Sequence, residues 1–114
     1  MNDEKWFDLI DEIKENFKII DHHQENFEIK DDFGIRGYGA REVVVFLRNG
    51  QKMKIEREKR PIILDKKIHY AKTKGTGGMI ELVLSQDETI SKVHLYIFDE
   101  INKNWKELDL LNIF

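Results

Sequence analysis

Residues 41–57 read REVVVFLRNGQKMKIER, and this stretch decides the fold. Arg41 to Arg48 is a β-branched and aromatic run, Asn49-Gly50 follows, and Gln51 to Arg57 alternates apolar and polar side chains. Asn-Gly is the pair that favours a two-residue type I′ turn, the turn whose twist suits two antiparallel strands. The turn sets the register. Phe46 then opposes Met53 and Val44 opposes Ile55 on one face, which is expected to enter the core. On the other face Leu47 opposes Lys52, Val45 opposes Lys54 and Val43 opposes Glu56, so lysine stems can lie over the valines.

Upstream of this hairpin a helix is expected over about residues 3–20. Trp6, Ile10, Ile13, Phe17 and Ile20 recur at helical spacing and Leu9 widens the stripe, which makes one buried face. Asn2 or Asp3 can cap the first turn. Between helix and hairpin, Asn26 to Lys30 suggests a short strand. Gly34, Gly37 and Gly39 around Tyr38 suggest a loop or a bulged strand.

Downstream, the only proline, Pro61, is expected to separate the hairpin from a strand at about 62–72. Gly75-Thr76-Gly77-Gly78 reads as a turn. Met79 to Leu84 and Lys92 to Phe98 read as strands joined by a polar loop, Ser85 to Ser91. Ile80, Leu82 and Leu84 share one face, as do Val93, Leu95 and Ile97, and the two sets are expected to meet in the core. Trp105 to Leu110 reads as the return arm of a last hairpin, with a short C-terminal helix as the alternative. The ending resembles hairpins of many β-proteins, propeller blades included, and identifies no family.

The fold class is therefore α+β. One N-terminal amphipathic helix packs on a five- or six-stranded antiparallel sheet, strongly curved or, alternatively, partly closed as a barrel around the helix. With 114 residues the chain is expected to form a single domain spanning 1–114. Seven Phe, three Tyr and two Trp give it large groups to bury. It has no cysteine, which excludes disulfides, thiolate catalysis and Cys-type zinc sites. No apolar run approaches the roughly 20 residues that span a bilayer, so no membrane partner is expected. The acidic, polar start reads as no signal peptide, and the chain is taken as cytoplasmic.

Charge is uneven along the chain. Residues 1–33 are net −7, residues 34–78 net +8 and residues 79–114 net −4. The basic segment 36–74 is a candidate face for nucleic acid or another polyanion, through Lys52, Lys54, Lys59, Arg60, Lys66 and Lys67. Neutralisation of the acidic helix explains the same charges more simply.

Two motifs fail on geometry. Adjacent His22-His23 diverge on a helix or a strand, unlike the i,i+4 pair of a zinc helix. Lys72 to Gly78 has neither the P-loop nor the dinucleotide spacing. No cofactor and no metal is expected. The sheet face opposite the helix is more informative, since it mixes Glu81, His94 and Tyr96 with apolar groups and could hold a ligand or an acid–base pair. The leading expectation is a non-enzymatic binding module using that face, with a protein partner or a small ligand. The alternatives are polyanion binding through the basic segment, which is less favoured, and a small enzyme or ligand carrier around Glu81, His94 and Tyr96.

Overall fold

A computed structural model describes residues 2–70 and 77–110. The elements are α1 (Asp3–Asn16), β1 (Lys18–Asp31), β2 (Gly34–Arg48), β3 (Gln51–His69), β4 (Met79–Asp99) and β5 (Asn104–Leu108). The helix packs against one open antiparallel sheet whose order is β1-β2-β3-β4-β5. Each strand neighbours the next in sequence, as short connections require. The barrel alternative is thereby excluded.

The chain forms two compact units. The first holds Met1–Glu25, Arg41–Glu58 and Ser91–Phe114; the second holds Asn26–Ala40 and Lys59–Ile90. The first contains the helix and the core. Trp6, Ile10 and Ile13 come from one face of α1, at steps of four and three, and meet Val44, Phe46, Met53, Ile55 and Leu95. The inward set read from the first hairpin is thus buried as expected. Its turn is the expected one, with Asn49 at φ 51° and Gly50 at φ 81°.

Asn2 caps α1: its side chain accepts the Lys5 N–H at 2.8 Å. The other end differs from expectation, because the helix stops at Asn16. Phe17 is already extended, at φ −132° and ψ 157°, and donates the last helical bond to Ile13. From there the period becomes two. Phe17 stacks on Phe46 with ring centroids 5.5 Å apart, Ile19 packs against the core, and Ile20 is exposed. The β-branched pair Ile19-Ile20 prefers a pleated backbone, and β1 takes it.

The strands are longer than expected. Asn26 to Lys30 is part of the 14-residue β1, and the glycine-rich stretch starts β2. A Cβ at Gly39 would collide with the Phe27 ring, so the glycine makes room for an aromatic lying across the sheet. β3 continues through Pro61 to His69; a single proline removes one ladder donor but keeps a φ that a strand accepts. The expected loop Ser85 to Ser91 lies inside the 21-residue β4. Its turn chemistry is nonetheless present, since Ser85 Oγ accepts the N–H groups of Asp87 and Glu88. Leu95 is the buried member of its set, with Val93 and Ile97 against the core, whereas Ile80, Leu82 and Leu84 belong to the second unit. The last hairpin is real: Phe98 pairs with Trp105 and Tyr96 with Glu107. The turn expected at Gly75 to Gly78 lies in part outside the described residues.

Candidate functional site

Strand alternation decides what each unit shows to its surroundings. In the first unit, Leu95 and Leu108 point toward the helix, so Tyr96, Phe98, Trp105 and Glu107 share the opposite face. A polar row crosses this face. Arg41 lies 3.9 Å from Glu25 and 3.8 Å from Glu56, and the Tyr96 hydroxyl donates to Glu56 at 3.2 Å. Burial and the Glu56 carboxylate push the Tyr96 phenol up to about 12, which keeps it a donor at neutral pH. His94 meets Glu107 at 2.7 Å.

Beside that row, two lysines lie over aromatic rings. The Lys52 ammonium is 5.2 Å from the Phe98 ring and 5.7 Å from Trp105, and that of Lys54 is 4.7 Å from Tyr96 and 4.6 Å from Trp105. Two of the six candidate anion-binding residues are thus laid on indole and phenol rings. The other four, Lys59, Arg60, Lys66 and Lys67, belong to the second unit.

Glu81 belongs to the second unit. Its carboxylate lies 3.4 Å from His69 and 4.0 Å from Arg36. His69 in turn meets the Phe33 ring edge-on at 5.3 Å, and Arg36 covers the same ring. His94 and Tyr96 belong to the first unit. In the sequence, His69 is one of two neighbours open to Glu81. Strand parity left open whether it or Tyr70 shares the Glu81 face, and only the register resolves that. A shallow cleft of about 410 Å³ runs along Arg36, Pro61, Glu81 and Leu82.

Asp31 anchors this unit. Its side chain is 1 % exposed and takes the Arg36 Nε–H at 2.7 Å, the Phe33 N–H at 2.7 Å and the Leu82 N–H at 2.8 Å. Burial alone would raise its pKa, but the Leu82 and Phe33 N–H groups and the guanidinium outweigh burial and hold the carboxyl below its ordinary value. Asp32 accepts the Ile80 N–H.

Neither unit gathers three or more His, Asp or Glu side chains as a metal site among the described residues. His22 pairs with Glu42 at 2.7 Å, and His23 with Asp21 at 2.8 Å.

Comparison with protein-family models, curated proteins and solved structures finds no match.

The distribution of apolar surface is then the most informative property. Among the described residues, all ten buried hydrophobic side chains lie in the first unit. Nine of the twelve exposed large ones lie in the second, among them Phe33, Ile35, Tyr38, Leu64, Ile68 and Tyr70. Single exposed apolar residues are ordinary on any protein, but their concentration in one unit that buries none is not.

Proposed function

We propose that the protein is a non-enzymatic binding module and that its bare sheet, above all the second unit, is the contact surface. The observation that carries this reading is the inversion just described. The second unit exposes nine large hydrophobic side chains, seven of them on β2, β3 and β4, and buries none among the described residues. Isolated β-structure needs a hydrophobic face packed on something to be stable. The first unit has its helix for that purpose. The polar groups on its outer face are largely committed to one another, as Tyr96 is to Glu56 and His94 to Glu107.

The test is an amide-resolved NMR titration of the whole chain with a panel of apolar and amphipathic fragments. Signals of Ile35, Leu64 and Ile68, which share one face by strand alternation, are expected to move together. Shifts confined to the helix, or absent throughout, would end the reading. A small-molecule site at Glu81 is a second reading, supported by the cleft that Arg36 and Glu81 line. In the same titration it requires a polar fragment that moves Glu81 and His69 while leaving Leu64 in place.

A further inference from the structure

We infer that the free edge of β1 in the first unit, residues 18–25, takes an extended basic peptide as an added strand, with two of its bases four residues apart. This contact surface is separate from the apolar one of the second unit, so either reading can fail without the other.

β1 stands at the end of the sheet order and has a neighbour, β2, on one side only. Of residues 18–25 all but Ile19 are exposed, whereas none of residues 41–48 in β2 or 51–58 in β3 is. A strand with one neighbour turns every second N–H and C=O outward. An extended peptide joins a sheet through main-chain bonds to such a row, and its alternate side chains decide which peptide fits. The opposite edge is occupied along much of its length. β5 covers Leu95–Asp99 of β4. In the earlier part of β4, Asp32 takes the N–H of Ile80, Asp31 that of Leu82, and Ser85 those of Asp87 and Glu88.

Charge selects the occupant. Asp21, His23 and Glu25 share one face of β1, since His23 lies 2.8 Å from Asp21 and 3.7 Å from Glu25. The Asp21 side chain is 55 % exposed and that of Glu25 49 %, so both carboxylates keep room for a cation. The same unit holds α1, with six acids against two bases, and is net −4 as a whole. Opposite charges facing each other across two strands stabilise the pair and like charges destabilise it. A second copy would set two negative units against each other, and a basic strand would not. On an added strand, side chains four residues apart stand opposite Asp21 and Glu25, and the one between them faces His23.

The experiment is an amide-resolved NMR titration of the full chain with the acetylated, amidated peptide Val-Lys-Val-Ser-Val-Lys-Val. Two further peptides carry N-methyl groups on its odd or on its even residues, and a fourth has Glu for both Lys. The parent peptide is expected to slow hydrogen exchange at alternate amides within residues 18–25. Only the N-methylated peptide whose methyl groups face β1 should bind more weakly, by about tenfold or more, because it loses several hydrogen bonds at once. The Glu peptide should not bind to the wild type. Asp21→Lys/Glu25→Lys should reverse the preference, with an unchanged far-ultraviolet circular dichroism spectrum. Equal binding by both N-methylated peptides would mean attraction of charge without an added strand, and overturns the inference. So does protection within residues 79–94 in place of 18–25, or no binding at millimolar peptide. Protection of alternate β1 amides in the free protein that rises with its own concentration gives the edge to a second copy and overturns it as well.

Discussion

At the scale of single residues, two positions are governed by backbone and by charge. Gly50 sits at φ 81° in the turn that sets the first hairpin. A β-branched side chain resists positive φ, so Gly50→Val is expected to cost about 1–3 kcal/mol in urea unfolding, and an unchanged midpoint would contradict the turn assignment. Asp31 is governed by charge. Its folded pKa lies below the ordinary carboxylate value, so its contribution is complete above the unfolded pKa of about 3.9 and fades as pH falls through the folded value. Asn at this position cannot reproduce the ionised partner of Arg36. Asp31→Asn is therefore expected to lower the hydrogen-exchange protection of the Leu82 amide at neutral pH and to abolish the loss of protection in acid that is expected of the wild type. Asp99 is held low in the same sense, by Lys106 and then by Asn102, and should hold the last hairpin closed over the same pH range.

At the scale of elements, the helix depends on Trp6. Its side chain is fully buried, and its indole N–H donates to Glu42 at 3.1 Å while Glu42 also holds His22. Trp6→Ala is expected to cost about 3–5 kcal/mol, a large part of the stability of so small a domain. A thermal melt unmoved by it would mean that α1 does not dock. The helix, the hairpin register and the inward set Val44, Phe46, Met53 and Ile55 were all legible in the sequence, because one local period or one turn pair specifies each. The helix end at Phe17 was not, since the same apolar residues satisfy a helical step before it and a strand step after it. Neither was the unbroken length of β3 and β4. Pro61 and the polar run Ser85 to Ser91 carry real breaker chemistry, and only pairing with neighbouring strands overrides it. The pairing of His69 with Glu81 was left open beside Tyr70 for the related reason that strand parity without register leaves two faces open.

At the scale of the whole molecule, charge argues against a nucleic-acid role even though β3 carries six basic candidates. The chain is net −3, and Lys52 and Lys54 lie over rings, where each contact contributes about 0.5–1 kcal/mol at an exposed site. Single-stranded and duplex oligonucleotides are therefore expected to show no micromolar binding at moderate salt. Each phosphate contact would add about 0.7–0.9 to the salt slope. A steep slope lost in Lys52→Glu/Lys54→Glu would reverse this ordering and make the basic segment the principal site. The same global view explains why function was harder to read than fold. Apolar residues on a strand look alike in sequence whether they fill a core or face outward, and Ile35, Leu64 and Ile68 differ from Ile55 and Leu95 only in what packs against them.

The carboxylates of Asp31 and Asp32, which accept from the start of β4, also bear on whether the chain can polymerise. A bare strand is a template for its own kind, and side chains that consume its donors act as chain terminators. Asp31 does this most strongly as the carboxylate, since the ionised group is the better acceptor. Acidification through the folded pKa of Asp31, which lies below the ordinary carboxylate value, should release the Leu82 donor and uncover a growing end. The protein is then expected to form thioflavin-positive fibrils in acid, and Asp31→Asn to shorten their lag time at neutral pH. The residues that close this corner of the fold would thus also serve as its safeguard against amyloid.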